Sequence, residues 1–293
     1  MTETAETNIA TTALGEIEYA DIGQGTPVLV LHGSPGGWDQ GALMAAFLVN
    51  RGFRAIVPSR PGYMRSPLTE SNATPDQQAE LFVALMDSLA IDQFAVIGWS
   101  GAGPSSYRLA GGHPERVTAL ATLAAVSKKY EWDESFDERL ILGTKFGNWV
   151  LREMGSHAPK SLVNATLGSE GTLKKAQLAA LVDHVMNDET KLDFVVSLAR
   201  TVSFRPPRKE GFENDQKQFA LIEDLELERI KVPVLLVQGA VDSDVDPSYA
   251  TFAVNAIPRA ELLTIDLGTH LAAFTDPTSD ATQDRIATFL KGG

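Results

Sequence analysis

The sequence predicts an α/β protein, a mostly parallel, doubly wound sheet with a helical segment inserted near its middle. Three observations predict this class. Short runs of Val, Ile and Leu recur between turn residues, as in strands buried on both faces of a parallel sheet. Strand and helix patterns alternate, which calls for crossover connections. The alternation stops after Val126 and resumes at Val232.

Taken in chain order, the predicted strands are Val28–Leu31, Ala55–Val57, Phe94–Ile97, Ala119–Val126, Val232–Val237 and Leu262–Ile265. Between the second and third, Thr74-Pro75-Asp76-Gln77 pairs a Thr cap with Gln three residues on and Pro in the first helical position. Leu81, Leu85 and Leu89 follow at helical spacing and mark the buried stripe. From about Lys128 to Phe219, Trp132, Phe136, Phe146, Trp149, Leu151, Leu181, Val185, Phe194 and Leu198 follow patterns closer to a helix than a strand. Arg205-Pro206-Pro207-Arg208-Lys209-Glu210-Gly211 reads as an irregular loop leading back to the sheet. The expected organisation is a core of 1–127 and 218–293 with a helical cap at 128–217. Ligands of such sheets bind at the carboxyl ends of the strands, where the cap is expected to sit.

Composition narrows the function. The 293 residues carry a formal net charge of −13, which disfavours nucleic acid and anionic lipid as partners; the expected partner is a small-molecule substrate. Cys is absent, which excludes thiolate metal sites and cysteine nucleophiles. No apolar run approaches the length of a membrane span, and the polar amino-terminal stretch lacks a secretory pattern, so a cytoplasmic location is expected.

The strand Phe94–Ile97 runs into Gly98-Trp99-Ser100-Gly101-Ala102-Gly103, followed by a helix-compatible segment. A serine between small residues at a strand-to-helix turn has the pattern of a nucleophile elbow, here with Ala102 where the strict motif has glycine. Acyl transfer through serine also needs backbone N–H donors for the developing oxyanion. Gly101 offers one. The loop His32-Gly33-Ser34-Pro35-Gly36-Gly37 offers the second at Ser34, because Pro35 has no N–H.

Of five histidines, His270 lies just after the last predicted strand, where a loop reaches the carboxyl edge, and is the expected base. His32 is expected to brace its own loop, His113 to end the elbow helix, and His157 and His184 to lie in the cap. The strand Val232–Val237 leads to Asp242, Asp244 and Asp246. Asp242 comes soonest after the turn glycine and is the expected partner of His270, with Asp244 in reserve.

With the order Ser100, Asp242, His270, the chain resembles the cap-bearing branch of the α/β-hydrolase superfamily. The His-Gly-x-Pro loop, the Ser59-Arg60-Pro61-Gly62-Tyr63-Met64-Arg65-Ser66 turn, the elbow and the Gly-Thr-His ending all fall in family order. The resemblance implies an α/β-hydrolase fold and a mainly structural role for the Ser59–Ser66 turn. Epoxide hydrolases and haloalkane dehalogenases of this branch use aspartate at the elbow, where this chain has Ser100. Proline iminopeptidases resemble it in the His-Gly-Ser-Pro-Gly-Gly loop, and C–C bond hydrolases share the triad.

The expected activity is hydrolysis of carboxylic esters or lactones with small to medium acyl groups through an acyl-enzyme, with no metal or organic cofactor. A peptidase, a C–C bond hydrolase and a non-catalytic binding module are the alternatives.

Overall fold

The computed structural model describes residues 6–131, 143–144, 147 and 153–292. Its centre is an eight-stranded sheet in the order β1-β2-β4-β3-β5-β6-β7-β8. The strands are β1 Thr7–Thr12, β2 Gly15–Gly23, β3 Thr26–Leu31, β4 Phe53–Pro58, β5 Phe94–Trp99, β6 Val117–Leu123, β7 Val234–Gly239 and β8 Ala260–Ile265. From β4 to β8 in that order every pairing is parallel, while β1 and β2 form an antiparallel hairpin that continues onto β4.

That hairpin is absent from the predicted strands. Of its residues only Ala10, Ile17, Glu18 and Ala20 are buried, so it lacks the continuous apolar run of a central strand. The prediction for β6 overshoots. Ala124 takes a positive φ of 44° and leaves the strand, and Val126 N–H turns in to donate to the Ser100 carbonyl at 3.1 Å.

Side-chain alternation divides each central strand between two layers. Val28, Val30, Ala55, Val57, Ala95, Ile97, Leu235 and Val237 face one apolar cluster with helix α1 (Trp38–Val49) and the C-terminal helix Ser279–Gly292. Leu29, Leu31, Ile56, Val96, Val234 and Leu236 face another, with α2 (Pro75–Ser88) and α3 (Gly103–Gly112). Full burial of one such large apolar side chain contributes about 1.5–3 kcal/mol, so these runs hold the sheet between its helices. Helix α2 begins with the expected reciprocal cap: Gln77 N–H donates to Thr74 Oγ1 at 3.3 Å, and Thr74 N–H to Gln77 Oε1 at 3.0 Å.

Between β6 and β7 the described residues form helices α4 (Pro159–Ser169), α5 (Lys175–Met186), α6 (Glu189–Thr201) and α7 (Lys209–Ala220). Leu181, Val185 and Leu198 are buried there, and Phe194 stacks on Phe274 at 4.4 Å, joining this segment to the α1 side of the core. Trp132, Phe136, Phe146, Trp149 and Leu151 lie outside the described residues. Helix α7 runs through position 217, where the sequence places the end of the cap. Among the described residues no helix is long and apolar enough to cross a membrane.

The chain leaves β3 for β4 on one side and returns through α2 to β5 on the other. The loops after β3 and β5 therefore open where strand order reverses, the position at which open α/β sheets form a crevice.

Candidate active site

Leu31 pairs with Gly98, so the loop after β3 and the turn after β5 start side by side. Ser100 directly follows β5 and has φ 53°, a left-handed conformation that costs a non-glycine residue about 1–3 kcal/mol. Its neighbours leave no room for a wider turn. A Cβ at Gly98 would run into Ser106 Oγ, and one at Gly103 into the Val126 carbonyl oxygen. Of the glycines just after the serine, Gly103 is the one pressed by backbone rather than by a side chain. Ala102, in the position where the strict motif has glycine, carries its methyl group fully buried.

The loop from His32 to Gly37 is tied down through its carbonyl groups. Arg60 Nε donates to His32 O at 3.0 Å, Arg60 Nη2 to Gly33 O at 3.2 Å, Gln40 Nε2 to Pro35 O at 3.0 Å and Arg208 Nη1 to Gly36 O at 2.6 Å. Ser34 Oγ donates to Asp215 Oδ2 and accepts from Arg60 Nη2 at 2.8 Å, so its hydroxyl proton is committed. Its side chain lies directly over Gly101, where any Cβ would collide with Ser34 Oγ. A Cβ on Gly33 would sit 3.2 Å from Ser100 Cβ. Ser34, Gly101 and Ser100 therefore meet at one corner.

His32 sits behind that corner. Its Nδ1–H donates to Gly33 O at 2.7 Å and its Nε2 accepts from Arg60 N–H at 2.9 Å, a pattern that requires the neutral ring. Burial, aided by the Arg60 charge, holds its pKa well below that of a free imidazole. Both ring nitrogens serve the backbone, so His32 braces the loop. His113 ends α3 and meets Glu80 at 2.8 Å, His157 is exposed, and His184 lies in α5.

His270 lies in the loop after β8 and is buried. Its Nδ1–H donates to Asp242 Oδ2 at 3.0 Å, and its ring stacks on the Trp99 indole at 5.5 Å. Trp99 precedes Ser100, so the stack brings the His270 loop against the elbow. Asp242 is held by the loop after β7. Its Oδ2 also accepts from Gln238 Nε2 at 2.9 Å, and its Oδ1 accepts the N–H groups of Asp244 at 2.9 Å and Val245 at 3.0 Å. Asp246 is occupied with Ser248 N–H at 2.9 Å. Burial works against the charged form of His270, yet the charge and hydrogen bond of Asp242, with Asp244 and Glu170 behind it, push its pKa up to about 10.

Chain order and turn chemistry do not reveal Asp215, Gln238 or Glu170. Asp215 lies on α7 and forms the centre of a buried cluster: Arg60 Nη1 donates to its Oδ1 at 2.8 Å, while Arg60 Nη2 and Tyr63 Oη each donate to its Oδ2 at 2.6 Å. The Ser59–Ser66 turn supplies Arg60 and Tyr63. At its far end Ser66 Oγ accepts from Glu18 N–H at 2.9 Å.

Comparison with known proteins agrees with this architecture. The family model of the alpha/beta hydrolase fold matches residues 26–277. An uncharacterized hydrolase, YcgS, of Bacillus subtilis is 31% identical over 265 residues, covering 88% of this chain and 89% of the relative. The structure of an alpha/beta hydrolase fold protein from Nakamurella multipartita superposes with a TM-score of 0.96 at 48% identity, covering 98% of this chain and 100% of that one. A 2-hydroxy-6-oxononadienedioate/2-hydroxy-6-oxononatrienedioate hydrolase of Paraburkholderia phymatum is 23% identical, covering 84% of this chain and 81% of its own. With the family model spanning the sheet from β3 to β8 and the loops of the candidate site, the chain belongs to the α/β-hydrolase fold family.

Proposed function

We propose that the protein is a serine hydrolase of carboxylic esters or lactones, with Ser100 as nucleophile, His270 as base and Asp242 as the acid that orients it. The bond from His270 Nδ1 to Asp242, with the His270 ring stacked on Trp99 immediately before the strained Ser100, carries this reading. With Nδ1–H given to Asp242, the lone pair of the deprotonated ring lies on Nε2 and takes the Ser100 proton as Oγ attacks the carbonyl carbon. The oxyanion is held by the backbone N–H groups of Ser34 and Gly101. The carbonyls of the 32–36 loop that accept from Arg60, Gln40 and Arg208 supply the restraint that keeps this peptide preorganised. His270 returns its proton to the leaving alkoxide, and water repeats the cycle to release the acid and restore Ser100. Segment 128–217 acts as the cap that shapes the acyl pocket.

The similarity to a 2-hydroxy-6-oxononadienedioate/2-hydroxy-6-oxononatrienedioate hydrolase supports a second reading, C–C bond cleavage by the same residues. Ester turnover exceeding turnover of such a dienedioate distinguishes the first from the second. The test of the shared mechanism is Ser100→Ala. It should abolish p-nitrophenyl ester hydrolysis and fluorophosphonate labelling while the thermal transition persists; retained turnover would exclude Ser100 as nucleophile.

A further inference from the structure

The segment that follows α4 is bound to both loops of the candidate triad. Glu170 O accepts His270 N–H at 2.9 Å, Thr172 N–H donates to Val241 O at 2.8 Å, and Ser243 Oγ donates to Ser169 O at 3.0 Å. Gly171 forms an antiparallel bridge with Asp242. A Cβ on Gly171 would lie 2.7 Å from Thr269 Cγ2 and 2.9 Å from Val241 O, so the strap passes too close for a larger residue. This backbone docking delivers a carboxyl group: one oxygen each from Glu170 and Asp244 and one ring nitrogen of His270 all lie within 4.8 Å of one another.

We propose that Glu170 is a positioning residue for the His270 base, the Ser169–Thr172 strap carrying its carboxyl to the imidazole so that its charge sets the pH range in which His270 acts. The proposal rests on the reading of His270 as general base. Among the described residues, the titratable groups acting on His270 are Asp242 and Asp244 from the loop after β7 and Glu170 from the strap; Trp99 faces it from β5 without charge.

An imidazolium takes no proton from serine, so the carboxylates around the ring set the pH at which His270 becomes a base. Burial, reinforced by the charge of Asp244, raises the pKa of Glu170 well above the usual carboxylate range. Its Oε2 is buried with no hydrogen-bond partner among the described residues, a place that suits a neutral carboxyl better than a charged one. As Glu170 ionises with rising pH, the added negative charge favours the imidazolium and delays the loss of its proton. The deprotonation of His270 is therefore held at higher pH than Asp242 and Asp244 alone would set.

The test is the pH dependence of Ser100 labelling by a fluorophosphonate, normalised to each variant's own alkaline rate. In Glu170→Gln, which keeps the shape of the neutral carboxyl, the midpoint should fall by about one pH unit. Glu170→Ala, which lacks the amide, should move it in the same direction, and Glu170→Asp should move it less. Rates reduced at every pH with an unmoved midpoint in both charge-removing variants would show a structural strap only and overturn the proposal while leaving the triad in place. Wild-type protein that is not labelled at Ser100 at any pH would overturn the triad reading, and the proposal with it.

Discussion

His270 is subject to two opposing forces whose balance sets the working pH of the proposed reaction. Burial favours the neutral ring, while Asp242 at 3.0 Å favours the charged one and, with its neighbouring carboxylates, prevails. The base acts only when neutral, so ester turnover should fall as pH falls. The midpoint should lie above about 6.5, the value of an unperturbed imidazole, and below about 10. A kcat/KM profile checks this, and a midpoint below the unperturbed value would remove His270 as the titrating base. His32 shows how the same side chain is given a different task. Its bonds to Gly33 O and Arg60 N–H occupy both nitrogens, and its lowered pKa keeps the ring neutral and in place.

Where β5 passes into α3, the elbow depends on close approaches at Gly98, Gly101 and Gly103 that a short motif describes only in part. Ala102 departs from the strict pattern without conflict, whereas Gly103 touches the Val126 backbone as it turns back from β6. Gly103→Ala should therefore destabilise the protein by about 1–3 kcal/mol, because the obstacle is backbone and cannot rotate away. It should also lower turnover by displacing Ser100. Ala102→Gly should cost about 1 kcal/mol or less. Urea titrations of both variants, with ester assays alongside, measure the contrast; equal effects would place the constraint elsewhere.

Across the whole protein, the segment inserted between β6 and β7 is locked to the core by charge as well as by packing. Arg60 and Asp215 are almost fully buried and bonded in a two-pronged pair, with Tyr63 and Ser34 also donating to Asp215 Oδ2. Asp215→Ala should cost about 3–5 kcal/mol, because it leaves the Arg60 guanidinium buried and uncompensated. Replacing both partners by Arg60→Met with Asp215→Leu should cost much less. Chemical denaturation separates these cases, and a small effect of Asp215→Ala would show that water reaches Arg60. The same substitution frees Ser34 Oγ and should also lower ester turnover, since the loop carrying the Ser34 N–H loses an anchor.

Features controlled by short-range chemistry are legible in the order of the residues. Apolar runs mark the central strands, Thr74 and Gln77 mark the start of α2, and small residues around Ser100 mark the turn after β5. Chain order points to Asp242 and His270, because each follows a strand whose carboxyl end faces the same edge, and the two side chains meet at 3.0 Å. The β1–β2 hairpin escapes such reading because strands with so few buried apolar residues carry too little apolar signal. What stands around these residues is settled by docking. Asp215 meets Ser34 across 181 positions of sequence, and Glu170 reaches His270 from the inserted segment. No local pattern encodes such meetings: they arise when separate elements pack together, and burial then makes each charge dependent on partners far away in the chain.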